Sequence, residues 1–116
     1  MLRQMIVAYL LVIISSLLAG NTFAAELNLY SYRQPALINP LMNAFTQATG
    51  VAVNVVYAKK GMLERIKAEG ANSPADLVLA ADVGHLHDML QAGVLAETSS
   101  SVLAKVIAPH LRDPRG

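Results

Sequence analysis

The sequence has no cysteine among its 116 residues. Disulfide bonds, thiol catalysis and zinc–thiolate sites are therefore excluded. A lipid-anchored N-terminus after processing is excluded as well, because that anchor is attached to a cysteine. An exported chain without disulfide bonds would suit the bacterial periplasm, so the N-terminus decides where the protein is expected to be.

The N-terminus has almost no charge, since Arg3 is the only charged side chain before Glu26. The stretch from Met5 to Ala19 is apolar apart from two serines. This apolar core of about 15 residues is shorter than the roughly 20 residues that a membrane-spanning helix needs. The pattern favours a secretory signal peptide, with a transmembrane anchor as the alternative.

Small residues after the apolar core indicate the cleavage site. Thr22 and Ala24 fit the −3 and −1 positions of a signal-peptidase site. We therefore expect residues 1–24 to be removed and the mature chain to begin at Ala25. The mature protein is then periplasmic, with no stable membrane insertion after cleavage.

The mature sequence also lacks a net charge. Arg3 leaves with the signal peptide, and the remaining basic and acidic side chains balance at eight each. A neutral chain without a basic stripe argues against nucleic acid as a partner. No G-x-S-x-G elbow, H-E-x-x-H, P-loop or G-x-G-x-x-G occurs, and no Ser-His-acid set can be nominated. We therefore expect no enzyme and no enzymatic cofactor, with an exported hydrolase as a disfavoured alternative.

The sequence does contain a regular alternation of strand and helix patterns. The second and third strand patterns are apolar runs, which is typical of a parallel sheet covered on both faces. The resulting order, βαβαβαα, predicts an α/β fold with helices on both faces of a parallel sheet. The strand patterns cover residues 26–31, 51–57 and 76–81, and the helix patterns cover 40–49, 61–70, 83–92 and 99–108.

Capping residues and periodicity predict where the helices begin, end and face the core. Asn39 followed by Pro40 predicts the start of the first helix, and Gly50 predicts its end. Asp82 predicts the N-cap of the third helix. The positions predicted to face inward are Leu41, Ala44, Phe45 and Ala48 in the first helix, Met62, Leu63 and Ile66 in the second, and Val83, Leu86 and Leu90 in the third.

Polar residues follow each of the three strand patterns. Right-handed crossovers bring the carboxyl ends of parallel strands to one edge, where open α/β sheets bind ligands. That edge is predicted to carry residues 30–34, 57–60 and 80–82. Tyr30 and Tyr32 are two apart on a strand and share a face.

From residue 26 onward the sequence resembles the N-terminal part of the periplasmic ferric-iron-binding proteins of ABC transporters. The motifs that carry the resemblance are YSYR after the first strand, FTQATG at the end of the first helix, ERIKAEGANSPADL before the third strand, and RDPRG. The resemblance implies a protein of two α/β lobes that grips its ligand in the cleft between them. Residues 113–116 also form a type I turn signature, which would redirect the chain into a further element. We therefore expect residues 25–116 to be an incomplete N-terminal part of the first lobe.

The resemblance implies iron(III) as the transported ligand, held with an anion such as carbonate, and an inner-membrane ABC permease as the partner. Where related proteins carry His or His-Tyr, this sequence has Gln34 and Pro35. The implied role of Arg33 and Gln34 is to donate hydrogen bonds to the anion. The tyrosine pair implied as iron ligands has no counterpart in residues 25–116, so no metal ligand is assigned there.

Several of these side chains also have ordinary structural roles open to them. Tyr30, Tyr32 and Asp82 are assigned to the wall of the cleft; the tyrosines are expected to pack or hydrogen-bond there, and Asp82 is expected to cap its helix. Arg33 is either an anion contact or a solvated surface arginine. His85 and His87 lie about 200° apart around a helix, cannot chelate one ion, and are expected at the surface.

Two other possibilities stay open at this point. A solute-binding protein on the same lobe could take another ligand, such as a polyamine, phosphonate or sulfate. The gene product could also be degenerate and have no function. The sequence of the downstream DNA, which would show the tyrosine pair, separates these possibilities.

Overall fold

The computed structural model of the protein describes residues 25–115, and the predicted signal peptide lies outside the described residues. The predicted element order is confirmed. No helix within residues 25–115 is long and apolar enough to cross a membrane. The elements are β1 (Glu26–Ser31), α1 (Pro35–Thr49), β2 (Ala52–Tyr57), α2 (Met62–Glu69), β3 (Leu77–Leu79), α3 (Val83–Gln91) and α4 (Ser101–Val106), with short 3-10 turns at Gly70–Asn72 and Pro109–Leu111.

The three strands form one parallel sheet in the order β2-β1-β3. Tyr30 on β1 is in register with Val56 on β2 and with Val78 on β3. The central strand is the most buried, since Leu29, Tyr30 and Ser31 are almost fully excluded from solvent. The predicted parallel α/β fold is thus confirmed.

The core lies on the face of the sheet that α2 and α3 cover. Tyr30, Met62, Ile66 and Met89 form its buried cluster, and Tyr32 packs against it. Tyr30 and Tyr32 therefore share a face of the sheet, as their spacing predicted.

The first helix begins earlier than predicted. Pro35 occupies its first turn, which suits the fixed φ of proline, and Gln34 precedes it in an extended conformation. Pro40 lies inside the helix and cannot donate to the carbonyl of Ala36, but Ala36 is exposed and water can satisfy that carbonyl. The end was predicted correctly, because Gly50 has a positive φ of 75° and its N–H donates to the Thr46 carbonyl.

The inward faces of α1 and α3 were predicted wrongly. The predicted stripe of α1 is exposed, including Leu41 and Phe45, whereas Ile38 is buried against the sheet. In α3, Val83 is 81% exposed while Met89 is completely buried. Apolar side chains occur on more than one face of each helix, and the sheet covers only one of those faces.

The third strand is shorter than the predicted residues 76–81. Asp76, which precedes β3, is bonded to β1 instead. Its carboxylate accepts the Asn28 backbone N–H at 2.8 Å, and its own backbone N–H donates to the Asn28 carbonyl. After Leu79 the chain turns into α3. The carboxyl ends of all three strands therefore finish close to the same edge.

Candidate functional site

The segment Tyr32–Gln34, here called the lip, leaves the carboxyl end of β1 and enters α1. Its backbone is fixed on both sides. The Tyr32 N–H donates to the Leu79 carbonyl of β3 at 3.0 Å. The buried hydroxyl of Ser31 accepts the Arg33 N–H at 2.9 Å and donates to the Arg33 carbonyl at 2.8 Å. These bonds hold the lip at the center of the sheet edge.

Arg33 spans this edge with its side chain. Its Nη2 donates to the carbonyl of Ala81, which lies between β3 and α3, over 3.1 Å. Within residues 25–115 its guanidinium has no other hydrogen-bond partner and no carboxylate partner. A guanidinium has five N–H donors, so most of them remain available to a small anion at the edge.

Gln34 lies next to Arg33 at the start of α1. Its carbonyl accepts the Leu37 N–H at 2.9 Å, but its side chain makes no capping bond to the helix. The residue is exposed, so its amide can turn toward a ligand at the edge. The structure thus brings together the two residues that the sequence proposed as anion donors.

Tyr30 does not line the cleft, and its assignment to the cleft wall is corrected. It is completely buried, and its Oη donates to the Glu69 carboxylate at 2.8 and 3.0 Å. The Arg65 guanidinium lies 4.9 Å from the ring center and bonds the same carboxylate. Burial and the bond to Glu69 raise the pKa of Tyr30. Sequence spacing could not reveal this network, because Glu69 lies on another element.

Tyr32 lies at the edge itself. Its ring packs on the ring of His85 with 4.3 Å between centroids and a tilt of 46°. Burial raises the pKa of its phenol, and the nearby Leu63 N–H opposes that shift. Tyr32 lines an open pocket of about 230 Å³ at the ends of the strands.

Asp82 caps α3, as its position predicted. Its Oδ1 accepts the backbone N–H of His85 at 3.0 Å and faces the ring Nδ1 of His85 at 2.9 Å. These two bonds lower the pKa of Asp82, so the carboxylate is ionised at neutral pH. With this oxygen already committed to α3, Asp82 is less available to a ligand than Arg33 or Gln34.

The sequence analysis placed His85 and His87 at the surface and did not predict the contacts that His85 makes. His87 is exposed, but His85 is half-buried between Asp82 and Tyr32. The signal was present, because a side chain three residues after an N-cap can bond back to the capping residue. The contact with Tyr32 is tertiary and left no local signal.

The pocket combines both signs of charge and contains no complete metal centre. Within residues 25–115 no three His, Asp or Glu side chains come close enough to hold a metal ion. Arg33 and Gln34 do not line this pocket. The ionisable and phenolic side chains that line the pocket are Tyr32, Lys59, Lys60, Glu64, His85 and Asp88.

A parallel sheet with helices on both faces and polar side chains gathered at its carboxyl edge defines the chain as an α/β ligand-binding lobe. Sequence similarity identifies the family of the chain. The chain belongs to the family of bacterial extracellular solute-binding proteins, whose family model matches residues 27–108.

Individual relatives carry names related to iron. Iron uptake protein A1 of Synechocystis sp. is 41% identical over 92 residues, which are 78% of this chain and 26% of the relative. The major ferric iron-binding protein of Neisseria gonorrhoeae is 29% identical over 90 residues, which are 77% of this chain and 27% of the relative. The chain thus spans about a quarter of the length of these relatives.

Solved structures agree in fold. Ferric iron-binding protein A of Mannheimia haemolytica, in an open conformation, matches with a TM-score of 0.76 and 41% identity, over 79% of this chain and 29% of that chain. A Trichodesmium protein in complex with iron and citrate matches with a TM-score of 0.72 and 43% identity, over 78% and 29% of the two chains. These matches confirm the resemblance that the sequence motifs indicated.

Proposed function

We propose that the chain is part of a periplasmic iron(III)-binding component of an ABC-type iron uptake system. The observation that carries the proposal is that 79% of the chain matches a ferric iron-binding protein with a TM-score of 0.76 at 41% identity. The solute-binding family supports a transport role, and we propose no catalytic step for the chain.

The proposed contribution of this chain is to the anion that accompanies the iron. Fe(III) is a hard, highly charged ion that prefers oxygen donors, and an anion beside it supplies both oxygens and negative charge. Arg33 crosses the edge with most of its donors available, and the Gln34 amide lies next to it. We assign these two side chains to the anion, for which carbonate is the candidate.

The iron ligands themselves are proposed to lie outside residues 25–115. The relatives are about four times as long as the part that matches, which leaves ample chain for a second lobe and for phenolate ligands. We accordingly propose that residues 25–116 are the N-terminal part of the first lobe. Residues 1–24 are proposed to be a cleaved signal peptide, and the partner that receives the iron is an inner-membrane ABC permease.

The test uses the full-length protein loaded with ferric citrate and bicarbonate. We expect a visible tyrosinate-to-iron charge-transfer band that saturates at one iron per protein. Spermidine, sulfate and a phosphonate are titrated in parallel by calorimetry as competing ligands for the same lobe. Tight binding of one of these solutes, with no visible band from iron, would replace iron as the ligand.

A further inference from the structure

The ring of His85 is held in one orientation by the carboxylate of Asp82. Asp82 Oδ1 accepts the backbone N–H of His85 at 3.0 Å and lies 2.9 Å from its ring Nδ1. An ionised carboxylate can only accept hydrogen bonds, so the Nδ1 that faces it carries a proton. The ring therefore cannot flip without losing this bond.

The lip rests against this fixed ring. The Tyr32 ring packs on the His85 ring at 4.3 Å between centroids. The same lip is tied to the third strand by the Tyr32 N–H on the Leu79 carbonyl and by the Arg33 guanidinium on the Ala81 carbonyl. The lip thus makes three contacts with the segment from β3 to α3. Two are hydrogen bonds to backbone carbonyls, and only the aromatic contact depends on a side chain of α3.

We propose that His85 is a positioning residue for the ligand site: anchored by Asp82, it holds the Tyr32 ring and so keeps Arg33 and Gln34 in place at the edge. This inference rests on the proposed function, because the lip matters only if it contacts the ligand. His85 acts through Tyr32 and contacts no ligand atom itself.

A neighbouring histidine shows that this arrangement is particular to position 85. His87 lies two residues further along α3, is exposed, and has no hydrogen bond or ring contact within residues 25–115. Within residues 25–115 no group of three His, Asp or Glu side chains forms around His85.

The position of the lip is important because an anion donor acts over a narrow range of distance and angle. Displacing a reacting group by about 1 Å can cost an enzyme about 100-fold in rate, and removing a partner that orients a metal ligand costs about 10- to 100-fold in metal affinity or activity. Removing the His85 ring takes away one packing partner of the Tyr32 ring, while its contact with the core cluster remains. We expect the lip to shift and the bound anion to be held less well.

The experiment compares His85→Ala, His85→Phe and the matched control His87→Ala in the full-length protein. We expect His85→Ala to weaken ferric-iron affinity in bicarbonate by about 10-fold, while its melting temperature stays close to that of His87→Ala. His85→Phe keeps a ring against Tyr32 and should recover part of the affinity. Nitrogen-15 NMR of the wild-type imidazoles should show the proton of His85 on Nδ1.

Iron affinity of His85→Ala equal to that of His87→Ala would overturn the proposal, and so would an Nδ1 of His85 without a proton. Failure of the proposed function is seen separately, as a wild-type protein that binds no iron. In that case the NMR signals of the lip decide: His85→Ala, and not His87→Ala, should shift the Tyr32 ring and Arg33 Nε–H resonances. Unchanged lip resonances would then overturn the positioning role.

Discussion

The buried hydroxyl of Tyr30 donates a hydrogen bond of 2.8 Å to the carboxylate of Glu69. Glu69 is held in turn by Arg65 on the same helix and by the hydroxyl of Ser73 at 2.7 Å. This network ties the central strand to α2 and to the loop that leads into β3. The network also keeps Tyr30 in the core and away from the carboxyl edge of the sheet, whereas Tyr32 lies at that edge.

Replacing Tyr30 by phenylalanine should therefore affect stability and not iron binding. The ring stays packed in the core, while Glu69 loses one donor and keeps Arg65 and Ser73. We expect a melting temperature lower by a few degrees and a visible iron band of unchanged intensity and position in the full-length protein. Loss of the band in Tyr30→Phe would place this phenol among the iron ligands and contradict the structure.

The same network predicts how stability depends on pH. The bonds from Arg65 and Ser73 lower the pKa of Glu69 below its usual 4.5. Because the unfolded chain binds this proton more tightly, the stabilisation is complete above the usual pKa and is lost as the pH falls through the lower folded value. Melting temperatures of Glu69→Gln should therefore fall less steeply below about pH 4.5 than those of wild type. Exposed Glu97→Gln is the control and should follow the wild-type acid limb.

The two donors of the lip predict an anion-dependent loss of iron. Arg33→Ala and Gln34→Ala should each speed iron release to a chelator, because an anion held by fewer donors leaves more easily. Raising bicarbonate should restore part of the retention by mass action. Exposed Gln47→Ala on α1 is the control for Gln34→Ala. A loss that does not respond to bicarbonate would mean that these side chains act on iron or on folding and not on the anion.

The packing of α3 gives a prediction that separates its two apolar faces. Met89 is completely buried in the core, whereas Leu86 on the same helix is 47% exposed. Met89→Ala should cost about 2–5 kcal/mol of unfolding free energy, as expected for a buried methionine. Leu86→Ala should cost much less in the full-length protein. Chemical denaturation of both variants measures the difference.

The features that the sequence predicted correctly are those that depend on neighbouring residues. The element order, the Gly50 stop and the Asp82 cap were predictable because each depends on neighbouring residues. The inward faces of α1 and α3 were not, because each helix carries apolar side chains on two faces and only packing selects one. The bond from Tyr30 to Glu69 and the ring contact between His85 and Tyr32 were not predictable either, because each joins residues on different elements.

The last prediction concerns residues 25–116 produced alone. On the side of the sheet that carries α1, Leu37, Leu41 and Leu77 are each more than half exposed. The outer edges of β2 and β3 are unpaired within residues 25–115, and such edges invite association with other chains.

We therefore expect this segment to aggregate or to fold only marginally, which analytical ultracentrifugation and thermal melts would measure. We also expect no tyrosinate-to-iron band on titration with ferric citrate and bicarbonate, because Tyr30 is buried in the core and no three His, Asp or Glu side chains within residues 25–115 come close enough to hold a metal ion. The substitution Leu41→Lys should reduce association between chains without producing the iron band. A soluble monomer with a cooperative melt and a strong visible band would mean that a complete iron site exists within these residues, built partly from phenols that the structure assigns to packing.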